Sequence, residues 1–175
     1  TCGWLGNCLK LPLFYNVDFL FGSIFTFLAF FLLPPWWGVL SAAVAGGYTI
    51  ILWNHPYALL ILIGEALFAG FLFRKKSDNL VLLDLIYWLF LGMPLVWFFY
   101  SMVMGMSAEA VLVVMLKQGV NGVFNVLLAS IIAYLAGIFS NKKTGRNIGR
   151  LTYRNILFVI MVSLVLFPTL AGMVA

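Results

Sequence analysis

Charge is scarce in this sequence. Only 9% of its 175 residues are Asp, Glu, Lys or Arg, against about 25% in soluble domains. With 65% of residues hydrophobic and a mean hydropathy of +1.12, the chain carries more apolar surface than a water-soluble fold of this size could hide. Histidine is almost missing. His55 is alone, so no Cys/His set has metal-ligand spacing and no metal site is expected. The two cysteines, Cys2 and Cys8, both lie near the N-terminus. Two thiols define no disulfide framework. An oxidising compartment would let them bridge, but the bland reading, two unpaired thiols, is favoured. There is no phosphate loop, no nucleophile beside a base and no carboxylate pair with a plausible catalytic geometry. Neither catalysis nor a cofactor is therefore expected. Basic residues outnumber acidic ones 10 to 5, yet no basic stripe alternates with aromatics, so nucleic acid is not an expected partner.

What the chain does have is long apolar runs. They lie at Val17–Leu33, Trp36–Trp53, Tyr57–Phe73, Leu80–Tyr100, Val120–Phe139 and Ile156–Val174. A spanning helix needs roughly 20 mostly apolar residues. The reading is an all-α integral membrane protein: a single domain over residues 1–175, a bundle of about six transmembrane helices with almost no soluble part. The run from Val17 is too long, and too poorly preceded by charge, for a cleaved signal peptide. Pro34-Pro35 and Asn54-His55-Pro56 punctuate the runs, since proline stops a helix at the residue before it. The segment from Gly105 to Gln118 is mixed, and its part near 106–118 reads as an interfacial or re-entrant helix. Ser41, Ala42, Ala43, Ala45, Gly46 and Gly47 give the second run a small face, which favours close helix packing.

Counting charge by side gives an orientation. The loops at 74–79 and 140–154 are separated by two spans and so share a side. They hold Arg74, Lys75, Lys76, Lys142, Lys143, Arg146, Arg150 and Arg154, which is eight of the 10 basic residues. Lys10 and Lys117 fall on the other side. The positive-inside rule puts those loops in the cytoplasm and, with six spans, both termini outside. A bacterial cytoplasmic membrane is the expected location.

Charges within spans are costly and mark a function or a necessary partner. Asp84, one turn into the fourth span, reads as a carboxylate at the cytoplasmic surface, stabilised by its helix N-terminus and by Arg74–Lys76. Asp18 reads similarly, as an anion at a helix N-terminus by the outer surface. Glu65, in contrast, lies near the middle of the third span, roughly 12 Å from its outer end at 1.5 Å per residue. Lys117, Asn121 and Asn125 recur every four residues with Gln118 beside them, forming one polar stripe on a helix face. In hydrocarbon that stripe must face the bundle interior or a wet cavity. Trp53, Asn54, His55 and Tyr57 reach the same outer end from the second loop, and Tyr100 from the end of the fourth span. The expected binding set is therefore Trp53, Asn54, His55, Tyr57, Glu65, Tyr100, Lys117, Gln118, Asn121 and Asn125. The competing reading is a buried Glu65–Lys117 pair, with the asparagines joining helices.

Several phrases carry a resemblance: Leu11-Pro12-Leu13-Phe14-Tyr15-Asn16-Val17, Leu52-Trp53-Asn54-His55-Pro56-Tyr57-Ala58, Glu65-Ala66-Leu67-Phe68, Gly92-Met93-Pro94-Leu95-Val96 and Lys117-Gln118-Gly119-Val120-Asn121-Gly122-Val123-Phe124-Asn125. In this order, over about residues 11–170, they resemble the N-terminal membrane sensor region of bacterial histidine kinases and diguanylate cyclases. The type is the vitamin-uptake-like sensor, similar to the substrate-binding S-components of energy-coupling-factor vitamin transporters. The resemblance implies an S-component-like receptor whose outer pocket takes a small molecule. It also implies an output domain further along the chain, outside these 175 residues, and a homodimer in the full receptor. The alternative is the substrate-binding subunit of a vitamin-type transporter. An S-component would keep both termini inside, whereas the charge count puts them outside. A third reading is an assembly subunit without a ligand.

Overall fold

The computed structural model describes residues 2–9, 11–13, 17–73, 79–139 and 153–174. The chain begins with a short helix, α1 (Cys2–Cys8), and an antiparallel hairpin of β1 (Leu11–Leu13) and β2 (Val17–Phe19). Their register pairs Leu11 with Phe19, Pro12 with Asp18 and Leu13 with Val17. The helices that follow are α2 (Gly22–Leu32), α3 (Pro35–Trp53), α4 (Tyr57–Leu72), α5 (Leu80–Val103), α6 (Ala108–Phe139) and α7 (Tyr153–Val174).

The boundaries follow from local chemistry. Pro35 opens α3, where a missing N–H has no consequence. Asn54 ends α3 in the left-handed region at φ 57°, a conformation asparagine tolerates. Asn79 caps α5, its Oδ1 accepting from the Leu82 N–H at 3.0 Å. Gly105, at φ +69°, turns the chain out of α5.

Helix α5 is not regular. Over Trp88–Gly92 and Trp97–Val103 its N–H groups reach back five residues, as from Met104 to the Phe99 carbonyl at 3.0 Å. Pro94 lies between the two stretches and cannot donate to the Phe90 carbonyl, which removes a regular bond there. The wider turns place Trp88, Gly92, Val96 and Tyr100, spaced by four, on one buried face.

The interior is built from Phe27, Phe30, Phe31, Ile61, Tyr87, Trp88, Val111 and Leu127. Phe30 fills the space left by Gly38 and Gly70. Phe31 packs edge-on against Phe73 at 5.3 Å and Tyr134 at 6.2 Å, closing the end opposite His55. The small face of α3 is used for packing: Gly3 of α1 rests on Ala45, and Leu59 of α4 on Gly46. Two interior hydroxyls bond back to their own helices, Ser130 to the Val126 carbonyl at 2.8 Å and Thr49 to the Gly46 carbonyl at 2.6 Å.

The outside is as apolar as the inside. Ile51, Phe90, Met102 and Leu164 are among many large hydrophobic side chains on the surface, an arrangement suited to lipid rather than water. Three helical stretches, Pro35–Trp53, Leu80–Val103 and Ala108–Gly137, are long and apolar enough to cross a membrane. Gly22–Leu32, Tyr57–Leu72 and Asn155–Leu166 are apolar but shorter.

Three expectations need correction. The first apolar run is not helical throughout: it starts as strand β2, and its helix begins only at Gly22. The stretch near 106–118 is not a separate interfacial helix, because no proline interrupts Ala108–Phe139 and α6 runs unbroken for 32 residues. Asp84 is not at the surface but 0% exposed. Asn79 starts α5 in a register that turns Leu80, Val81, Leu83, Asp84 and Tyr87 inward together. The basic loops lie almost wholly outside the described residues.

Candidate functional site

At one end of the bundle the α3–α4 turn, the last wide turns of α5 and the first half of α6 surround a pocket of about 300 Å³. Its lining is Asp18, Trp53, His55, Tyr100, Met104, Met106, Val114, Lys117 and Gln118. Five of the ten expected site residues are thus brought together: Trp53, His55, Tyr100, Lys117 and Gln118. A narrower chamber of about 30 Å³ continues inward, sharing Trp53, Lys117 and Gln118 with the mouth and adding Asn7, Leu20, Trp88, Asn121, Gly122 and Asn125 among others. That volume suits water rather than a solute.

One wall is an aromatic ladder. His55 stacks on Tyr57 at 5.3 Å and on Trp53 at 6.3 Å, and meets Tyr100 edge-on at 5.2 Å. Tyr57 stacks in turn on Phe99 at 4.9 Å. Tyr57 therefore backs the pocket rather than lining it. Burial among these rings pushes the His55 imidazole below its ordinary pKa, and its own backbone contact offsets this only in part. Lys117 supplies the cation. Its ammonium stands 4.7 Å from the centroid of Trp53 and feels the charge of Asp18, so a positive group is held over a π face. Gln118 Nε2 donates to the Tyr100 hydroxyl at 3.3 Å, tying α6 to α5 at the mouth.

The remaining expected residues are placed otherwise. Asn54 caps α3 and is exposed, outside the pocket. Asn121 and Asn125 line the chamber, but their amides hold a main chain. Asn121 Oδ1 accepts from the Leu20 N–H at 3.0 Å, and its Nδ2 donates to the Leu20 carbonyl at 2.7 Å. Asn125 Nδ2 donates to the same carbonyl at 2.8 Å, while its Oδ1 is buried without a described partner. Asn7 does comparable work for α1, donating to the Ala45 carbonyl at 2.8 Å and accepting from the Gly22 N–H at 2.6 Å.

Glu65 lies deeper, 2% exposed. It does not pair with Lys117. Its Oε1 accepts from Trp88 Nε1 at 2.6 Å, and its carboxyl faces Asp84. Gly122 makes room for both, since a Cβ there would sit on the Trp88 indole nitrogen and 2.7 Å from Glu65 Oε1. Four pocket residues, Asp18, Met104, Met106 and Val114, were not expected. The turn Met104-Gly105-Met106-Ser107, between two apolar stretches, is the one local signal that places Met104 and Met106 at a helix end.

Among the described residues no group of three or more His, Cys, Asp or Glu side chains could hold a metal ion. Cys2 and Cys8 are exposed and unbridged. No protein-family model, curated protein or solved structure matches the chain.

Proposed function

We propose that this chain is the membrane-embedded input domain of a sensor, crossing the bacterial cytoplasmic membrane six times. Its pocket, open at the extracytoplasmic end, takes a small ligand. The observation that carries this reading is the pocket of about 300 Å³ in which Lys117 lies over Trp53, beside the His55–Tyr100 pair. A ligand site is a concavity with a few convergent polar groups on an apolar lining. Here a cation, a carboxylate from Asp18, an amide and three aromatic rings converge at one end of an otherwise apolar bundle. That set suits a polar or zwitterionic molecule with a flat apolar part. Bound against Lys117 and Tyr100, such a ligand touches α6 and the wide turns of α5 together. It can bias helix packing by its differential affinity for the two arrangements. The signal then passes to an output domain further along the chain.

The test is thermal denaturation of the purified chain in detergent against a panel of small zwitterionic and heteroaromatic solutes. A true ligand raises stability by RT ln(1 + [L]/Kd), about 2.7 kcal/mol at a hundredfold excess over Kd. Lys117→Gln and Trp53→Ala should each abolish the shift while the unliganded melt stays cooperative. No shift with any solute would overturn the ligand reading and favour an assembly role.

A further inference from the structure

Inward of the mouth, between α4 and α5, two carboxyl groups are buried together. Glu65 is 2% exposed and Asp84 0%. Glu65 is tied to α5 one turn beyond Asp84, through Trp88 Nε1 at 2.6 Å, which makes the two carboxyls interacting neighbours in the same interior. Trp88 donates to Glu65, but neither oxygen of Asp84 receives an N–H or O–H from any described residue. The neighbouring groups are engaged elsewhere. Tyr87, on α5, donates its hydroxyl to the Ile61 carbonyl at 2.7 Å. Helix α6 presents Gly122 to the pair, and its Lys117 stands over Trp53 beside Asp18. Helix α2 carries no titratable side chain.

Two carboxylates in contact inside a low-dielectric bundle repel each other, and burial costs each charge the solvation it has in bulk water. A carboxyl group has no N–H, so contact between two of them becomes a hydrogen bond only when one donates an O–H. We infer that Glu65 and Asp84 form a proton-binding site in the membrane interior, with one proton shared between the two carboxyls and Trp88 fixing the position of Glu65. Release breaks one O–H bond, leaves its electron pair on the carboxylate and passes the proton to water, so no other reactant is needed. The indole of Trp88 also lines the inner chamber, so the state of the pair reaches the polar centre of the bundle through one side chain. This inference does not depend on the ligand reading: it requires only the buried pair.

The experiment is infrared spectroscopy of the full chain in lipid nanodiscs, in water and heavy water. At neutral pH the wild-type protein should show a carboxylic C=O band that shifts in heavy water and is lost as pH is raised. The combined substitution Glu65→Gln with Asp84→Asn should remove the band, and Lys117→Gln should leave it in place. Absence of the band from wild-type protein at neutral pH would overturn the inference. So would its persistence in the doubly substituted chain. Loss of the band on adding sodium at fixed pH and ionic strength would also overturn it, in favour of a metal cation. If the doubly substituted chain does not fold, the wild-type pH titration decides alone.

Discussion

Among single residues, the polar side chains of α6 divide by what they hold. Lys117 and Gln118 face the pocket, while Asn121 and Asn125 hold Leu20. Leu20 lies between β2 and α2, outside any regular ladder, so its N–H and C=O need partners wherever water is excluded. Replacing Asn121 by Ala deletes two of these bonds. Interhelical hydrogen bonds in membranes average about 0.6 kcal/mol, and a stranded buried N–H adds about 1–3 kcal/mol. The expected loss is therefore about 2–4 kcal/mol in detergent melting, clearly larger than for Lys117→Gln. An equal or smaller loss for Asn121→Ala would show that water solvates Leu20 instead. The stripe itself was legible in the sequence, because spacing by four fixes a helix face. Its partner was not, because Leu20 and Asn121 are 101 residues apart and no local pattern encodes that meeting. Glu65 was legible as exceptional for its charge. Its neighbour Asp84 was misread because the first turn of a helix at a membrane surface normally accommodates a carboxylate.

Among elements, α5 shows how far periodicity can mislead. Buried Trp88, Gly92, Val96 and Tyr100 are spaced by four. On a regular helix at about 100° per residue that spacing would drift by about 120° from first to last. The two wide-turn stretches absorb the drift, and Pro94 between them prevents a simple return to regular bonding. Pro94→Ala restores an N–H for the Phe90 carbonyl and lets the segment tighten. Tyr100 should then swing away from Gln118, and its phenol should become more reactive toward a tyrosine-nitrating reagent. Unchanged reactivity would show that Pro94 does not maintain the wide turns. The apolar runs were readable because proline and the polar loops punctuate them. The strand that opens the first run was not readable, since Val17, Phe19 and Phe21 serve a strand or a helix equally well.

For the whole molecule, the inside is sparingly polar, the outside is greasy and one end holds the pocket. Helix α1 packs near that end, with Trp4 edge-on to Tyr48 at 5.4 Å and Asn7 lining the inner chamber. If basic loops 74–79 and 140–154 face the cytoplasm, exposed Cys2 and Cys8 lie outside. A membrane-impermeant maleimide should then label both thiols in intact cells. Labelling that appears only after permeabilisation would reverse the orientation. The broken first run has one more consequence, which concerns time. Leu20 depends on Asn121 and Asn125, which are made 101 and 105 residues later. At synthesis rates of about 5–20 residues per second, the ribosome needs about 5–20 s to deliver them. Until then the Leu20 N–H and C=O lack the partners that hold them in the folded chain. The segment around Leu20 is thus secured only after α6 has been made, long after its own synthesis.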